Sequence, residues 1–279
     1  MNHIRAWLGV AVGVLTGWAV FENTAMLRVR HYTAAMQGLP RIVQISDLHK
    51  RRFGAGQKRL LRKVAACKPE YIVITGDLVS RTVSDFTETE QLLRELCTIA
   101  PVIVSEGNHE ADLSAVKYAA LRAAVRRSGA RYLKNEMIRL GDICIAGLAL
   151  SSEYYRGGGR FGFRGKKACT HKTMRLLFGA CPERTLLLAH NPLCFPVYAE
   201  WGAALTLSGH VHGGAVRLPI LGGLLSPERK FFPKYDKGKY RIHESELIVS
   251  GGLGKLRLFN PPEISVITSI RRSDRIQQK

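Results

Sequence analysis

The sequence predicts an α/β fold, and three observations carry that reading. Apolar runs of strand length recur: RIVQIS (41–46), YIVIT (71–75), PVIVSE (101–106), DICIAGLAL (142–150), RTLLLAH (184–190) and ALTLS (204–208). Continuous β-branched runs of this kind suit strands covered on both faces. Between them lie amphipathic stretches such as 57–67 and 112–127, with apolar residues at helical spacing. Strands alternating with helices make α/β layers. Composition agrees: 46% hydrophobic and 23% charged over 279 residues is ordinary for a globular chain. It excludes a fibrous or mainly disordered one.

Taken in order, the first element is residues 6–21, AWLGVAVGVLTGWAVF, which carry no charge between Arg5 and Glu22. At 1.5 Å per residue a helix of this length spans about 24 Å, slightly under a hydrocarbon core of ~30 Å. Trp7 and Trp18 stand near its ends, where interfacial anchors would stand. The run is also the size of a signal-peptide core, although Gly17-Trp18-Ala19 offers only a weak cleavage site. Arg28, Arg30 and Arg41 follow closely while Arg5 alone precedes. The positive-inside bias therefore places the downstream domain in the cytoplasm. Residues 1–30 read as an N-terminal membrane anchor or signal-like helix, and 35–279 as one domain. No repeat and no Pro-rich or Ser-rich linker divides that domain, and KYRIH (239–243), ELIVS (246–250) and EISVITSI (263–270) add strands at its end.

Charge narrows the partners. Forty-two basic against 22 acidic residues give +20, with a pI near 10.1. Such a surface favours polyanions: anionic lipid head groups, nucleic acid or phosphorylated substrates. The six cysteines include no CxxC pair, and most sit inside apolar runs, so free thiols are expected.

Five of the apolar runs end in polar clusters of metal-ligand type. They lead into Asp47-Leu48-His49, Gly76-Asp77, Gly107-Asn108-His109-Glu110, His190-Asn191-Pro192 and Gly209-His210-Val211-His212-Gly213-Gly214. In an open α/β sheet ligands bind beyond the carboxyl ends of the strands, so the five clusters converge if these runs are neighbours. Asp47 and His49, and likewise His210 and His212, are spaced by two, which points each pair to one side of an extended segment. The inventory of two Asp, one Asn and four His outside His109 suits Mn, Fe, Co or Zn better than Mg or Ca alone. Seven protein ligands exceed the needs of one ion with open positions, and one shared carboxylate lets them hold two.

The ordered series DLH, GD, GNHE, H, GHVH resembles the calcineurin-like metallophosphoesterase superfamily over roughly residues 41–270. The resemblance implies a four-layer sandwich, two mixed β-sheets flanked by helices. It implies that Asp47, His49, Asp77 and His212 hold one divalent ion, and Asp77, Asn108, His190 and His210 the other, with Asp77 shared. His109 is then the catalytic residue beside the leaving group. A finer similarity is to the membrane-anchored YkuE-like and YaeI-like phosphodiesterases. It rests on the N-terminal apolar run, GHVHGGAVRLPILGG (209–223), FFPKYDKGKY (231–240) and LFNPPEISVIT (258–268). That branch also resembles an enzyme that cleaves the pyrophosphate of UDP-2,3-diacylglucosamine.

The implied activity is metal-dependent phosphodiester or pyrophosphate hydrolysis. The expected substrate is a phosphorylated small molecule or lipid, with an anionic membrane surface as partner. Soluble phosphoesters are the alternative. Nucleic acid is disfavoured, because no second nucleic-acid domain is evident. Around the site, Lys50, Arg51 and Arg52 directly follow His49 and are candidates for a substrate phosphate. Two loops are candidates for shaping access: the Gly157-Gly158-Gly159 region with Phe161 and Phe163, and the apolar stretch 215–233.

Overall fold

Valine and isoleucine carry two heavy atoms on Cβ and prefer the pleated, half-crowded surface of a sheet. The β-branched runs accordingly become strands in the computed structural model, which describes residues 2–155, 167–214, 217–218, 222–223, 233–255 and 258–270. In chain order the strands are β1 (Arg28–Ala34), β2 (Ile42–Ile45), β3 (Tyr71–Thr75), β4 (Val102–Ser105), β5 (Arg131–Leu133), β6 (Glu136–Leu140) and β7 (Ile143–Leu148). There follow β8 (Thr185–Ala189), β9 (Leu205–Ser208), the short pair β10 (Arg217–Leu218) and β11 (Gly222–Gly223), β12 (Gly238–Ile242), β13 (Ser245–Val249) and β14 (Glu263–Ser269). The helices are α1 (Asn2–Ala25), α2 (Lys58–Ala66), α3 (Thr87–Ile99), α4 (Asn108–Ala111), α5 (Ala115–Ser128), α6 (His171–Phe178) and α7 (Phe195–Trp201).

Two six-stranded sheets form, ordered β1-β14-β2-β3-β4-β5 and β12-β13-β9-β8-β7-β6. Both are mixed. β2 to β5 run parallel while β14 is antiparallel to β2; β7, β8, β9 and β13 run parallel, with β6 and β12 antiparallel at the edges. Alternation along each strand builds the layers. Ile42, Val73, Ile103, Leu186, Leu188 and Leu207 pack between the sheets. Val43, Ile72 and Ile74 face outward against α2, α3 and α5, and Leu187, Leu247 and Val249 face α6 and α7. This is the four-layer sandwich of two mixed sheets flanked by helices. All six cysteines are free thiols. β1 lies upstream of residue 35 and pairs with β14 along its whole length, from Arg28 opposite Glu263 to Ala34 opposite Ser269.

The N-terminal run corrects an expectation. It is helical, within α1, but among the described residues no helix is long and apolar enough to cross a membrane. That finding overturns the spanning anchor and the membrane localisation drawn from it. The physical reason lies in the lengths: an uncharged run of about 24 Å falls short of a ~30 Å core, and charge closes it at both ends. The closing charge is also built into the domain. Glu22 is buried, and its Oε2 accepts the backbone N–H of Phe259 at 2.7 Å. The carbonyl of Asn23 accepts from Arg51, and those of Thr24 and Ala25 accept from Arg59 at 3.0 and 2.6 Å. Carbonyls at a helix C-terminus lack intrahelical partners and carry partial negative charge, so two guanidinium groups fasten α1 by its end. Upstream of that end Trp7, Val10, Val12 and Val14 are exposed.

Candidate metal centre

The ligand clusters come from both sheets. β2, β3 and β4, neighbours in the first sheet, end at Asp47 and His49, at Asp77, and at Asn108 and His109. β8 and β9, neighbours in the second, end at His190 and at His210 and His212. Backbone bonds lock the ends together: Asp47 N–H donates to Gly76 O, His49 N–H to Asp77 O and Gly209 N–H to His190 O, at 3.1 to 3.2 Å. Across the sheets, His210 N–H donates to Asp47 Oδ1 at 3.1 Å. Behind the site, Gln44 Nε2 donates to Thr75 Oγ1 and to Ser208 O, both at 2.9 Å, joining the two sheets at their inner faces.

The chain turns hard at these ends. Asp47, His49, Asp77, His210 and His212 all adopt left-handed φ, between 52° and 69°. Such a conformation costs a residue with a side chain on the order of 1–3 kcal/mol and persists where the surroundings over-determine it. Gly76, at φ 85°, could not be replaced: a Cβ there would sit 2.6 Å from His190 Nδ1 and 2.7 Å from the Cα of Gly107. The glycines of the motifs let five strand ends crowd one point.

The side chains form three overlapping groups: Asp47 with His49 and His212; His49 with Asp77 and His109; Asp77 with His190 and His210. Within each, the potential ligand atoms lie within 4.8 Å of one another. Among the described residues, every cluster of three or more such groups falls here. Asp77 Oδ2 is 3.3 Å from His190 Nε2, 3.8 Å from His49 Nε2 and 3.9 Å from His109 Nε2. Asp47 Oδ1 is 3.8 Å from both His190 Nε2 and His212 Nε2. Asn108 joins the cluster through its neighbour, because His109 N–H donates to Asp77 Oδ1 at 2.9 Å. The buried Oδ1 of Asn108 makes no hydrogen bond within the chain. Buried polar atoms are normally satisfied. Orphaned lone pairs among carboxylates and imidazoles fit a bound cation, and the N/O donor set fits a transition metal.

Electrostatics point the same way. The neighbouring histidines hold Asp47 and Asp77 below the usual carboxylate range, overcoming the opposite push of burial. Burial alone would lower His190, but the charge of Asp77, its bond to Asp77 and the charge of Asp47 carry it up to about 10. His190 Nδ1 lies 2.7 Å from the carbonyl of Thr75, which keeps Nε2 aimed at the carboxylates. His109 goes the other way. Burial outweighs Asp77 and takes it down to about 4. Its Nδ1 accepts the N–H of Arg81 at 3.2 Å, so the neutral ring carries its proton on Nε2.

Of the residues that hold the site, Glu110 fits the sequence reading of a helix-start residue behind the ligands, whereas Asn260 and Lys237 were not legible as part of it. Glu110 is no ligand: its carboxylate accepts the N–H groups of Asp77, Val79 and Gly107 at 2.9 to 3.0 Å and ties the GD turn to the GNHE turn. Tyr155 is buried, with its ring centroid 5.1 Å from that of His210 and 6.0 Å from that of His190. Asn260 Nδ2 donates to the carbonyls of His212 and Gly214, and its Oδ1 accepts from Lys237 Nζ, which pairs with Glu263. The FNPPE and KYDKGKY segments thus brace the GHVHGG turn.

The three basic candidates part company. Lys50 is exposed beside His49. Arg51 is buried and donates to the carbonyls of Asn23, Leu253 and Gly254, so it is corrected from a substrate contact to a main-chain tether. Arg52 Nε donates to Glu88 Oε2 at 3.0 Å, which sets it in an exposed ion pair. The Gly157-Gly158-Gly159 region with Phe161 and Phe163 lies outside the described residues, as does most of the apolar stretch 215–233.

A family profile described as calcineurin-like phosphoesterase matches residues 40–214, more than half of the chain. An uncharacterized metallophosphoesterase of Bacillus subtilis, YkuE, is 27% identical, with 93% of each chain covered. Phosphodiesterase YaeI of Escherichia coli K12 is 26% identical, with 81% of each covered. UDP-2,3-diacylglucosamine pyrophosphatase LpxG of Chlamydia muridarum is 26% identical, with 84% of each covered.

Proposed function

Because this chain belongs to the calcineurin-like phosphoesterase family and is a metal-dependent phosphoric-ester hydrolase, we propose that it cleaves a phosphodiester or pyrophosphate bond using two divalent ions that share Asp77. Asp47, His49, Asp77 and His212 hold one ion, and Asp77, Asn108, His190 and His210 the other. The observation that carries the reading is the meeting of two carboxylates and five imidazoles from five strand ends, with the buried Oδ1 of Asn108 beside them left without a hydrogen bond. When bound, divalent ions supply Lewis-acid charge toward phosphoryl oxygens and lower the pKa of water.

The chain's own groups do the rest. Thr75 O and His190 Nδ1 fix one imidazole, and Glu110 fixes the turns that present Asp77 and Asn108. The strained backbone holds these groups in place before substrate arrives, so little reorganisation accompanies the reaction. His109 presents a neutral Nε2–H beside Asp77 and donates a hydrogen bond from it to the departing oxygen as charge builds there, the proton staying on the ring. The substrate is a phosphorylated amphiphile, with a lipid-linked pyrophosphate the leading case. The relatives named for pyrophosphatase action on UDP-2,3-diacylglucosamine support that class, as does the net charge of +20.

The test is hydrolysis of bis-p-nitrophenyl phosphate and of a lipid pyrophosphate by chelated and Mn-reloaded protein. Turnover should vanish on chelation, return with metal, and be lost together with bound metal in Asp77→Asn. Full activity of metal-replete Asp77→Asn would overturn the shared-ligand assignment.

A further inference from the structure

We infer that the last turns of α1 form one wall of the substrate site, and that the cavity between α1 and the metal cluster receives an apolar chain attached to the scissile phosphate. This rests on the phosphoesterase reading and adds the part of the substrate that lies beyond the phosphate.

The cavity has a volume of about 1280 Å³ and reaches His49 at one side and Thr16 and Val20 of α1 at another. Typical small-molecule sites occupy about 300–1,000 Å³, so a phosphate with a compact leaving group would leave much of this space to water. The walls are mixed. Val20, Leu78, Val83 and Leu258 supply apolar surface, while Lys50 and Lys255 are exposed beside them. Of the five basic side chains that line the cavity, Arg51 and Arg59 are tied to main-chain carbonyls and Arg52 to Glu88, so the cations an anionic head meets are Lys50 and Lys255. A wholly polar substrate would not need the apolar wall, and a neutral lipid would not need the cations. An anionic head bearing an acyl or alkyl chain uses both.

The α1 wall is held in place from within the catalytic domain. Arg51 and Arg59 take the terminal carbonyls of α1, and the buried Glu22 takes the Phe259 amide. Arg51 also binds the carbonyls of Leu253 and Gly254, and it lies two residues from His49. The same side chain therefore spans from the metal-binding turn to the helix. Val20, one turn before the fastened end, remains 57% exposed: it contributes apolar surface to the cavity and is not consumed by packing. An apolar residue held open at a fixed distance from a phosphate-handling centre is what a chain-binding subsite requires.

The experiment compares p-nitrophenyl methyl phosphate with p-nitrophenyl octyl phosphate, below the latter's micelle concentration, using Mn-loaded full-length protein. Each methylene moved out of water is worth about fourfold in binding. Burial of three to four of them predicts a kcat/KM ratio, octyl over methyl, of roughly 10². Val20→Asp places a charge on the α1 wall and should drop the ratio below about ten, while Val20→Ile should keep it. Val83→Asp, on a different wall, should drop it too, so the outcome does not hang on one variant folding. A wild-type ratio near one, or a ratio unchanged in both aspartate variants, overturns the chain subsite while metal-dependent methyl-ester hydrolysis leaves the phosphoesterase reading standing. Absence of metal-dependent hydrolysis of either ester overturns both.

Discussion

Glu110 offers a sharp test of how the metal centre is held together. The residue is buried, and three backbone N–H groups converge on it: those of Asp77 and Gly107 on Oε2, and that of Val79 on Oε1. Burial first, and then the charge of Asp77, push its carboxyl up to about 7. Measurements at pH 8 therefore compare variants with a mostly ionised wild type. Glu110→Ala leaves three buried donors without an acceptor. At about 1–3 kcal/mol each, with partial relief by entering water, the loss should be about 3–5 kcal/mol. Glu110→Gln can place its amide oxygen at the Oε2 position, keep the bonds from Asp77 and Gly107, and lose only the one from Val79. Its cost should be about 1–3 kcal/mol. Urea unfolding of chelated protein measures both, through the shift in midpoint at constant slope. Because the released turns carry Asp77 and Asn108, Mn affinity should fall by about 10–100-fold in the alanine variant, as for other groups that orient ligands. Equal costs for the two variants, or an alanine variant within about 1 kcal/mol of wild type, would refute the claim that Glu110 braces the centre by these three bonds.

Other expectations concern single groups. His109→Asn should keep its metal but lower kcat by about 10²–10⁴-fold, least for p-nitrophenolate, a leaving group that needs little help from a proton; an equal loss for poor leaving groups would remove His109 from that role. His190, carried up to about 10, holds a proton in the metal-free protein near neutrality. That proton stabilises the metal-free fold fully below about pH 6.5, and the contribution fades as pH rises toward 10. Since a ligand imidazole must be neutral, metal uptake at pH 7 should release protons and tighten with rising pH; calorimetry in two buffers of different ionisation enthalpy would detect this, and buffer-independent heats would contradict it. Removing residues 1–25 should leave a cooperatively melting protein, whereas removing 1–34 strips β14 of its seven-residue partner β1 and should sharply lower the melting temperature. Indistinguishable melting of the two truncations would show that β1 contributes little.

The core of the site was readable because its signals are local. A β-branched run followed at once by Asp, Asn or His places a ligand at a strand end, and a spacing of two keeps His210 and His212 on one side. Other features depend on contacts distant in sequence. RVRHYTA carries three basic or imidazole side chains among its seven residues, so β1 lacked an apolar run; it is an edge strand whose exposed face tolerates charge. β5 is only three residues long, and β6, EMIRL, sets Glu136 and Arg139 among three apolar residues without strict alternation, which dilutes their patterns. The division of the ligand strands between two sheets could not come from periodicity, because β2 and β8 look alike as strings. It becomes visible only through cross-sheet contacts such as Gln44 to Ser208. Arg51 was misread for a related reason: a basic residue beside a metal ligand looks like a phosphate contact until the carbonyls of Asn23 and Gly254 take its guanidinium.

The central claim is that two ions share Asp77. Electron paramagnetic resonance of the full-length protein, chelated and then titrated with Mn²⁺, tests it directly. The account predicts that uptake saturates at about two ions per chain with a spin-coupled multiline spectrum, and that Asp77→Asn abolishes the coupled signal. Saturation at a single ion, or a coupled spectrum that survives in Asp77→Asn, would contradict it.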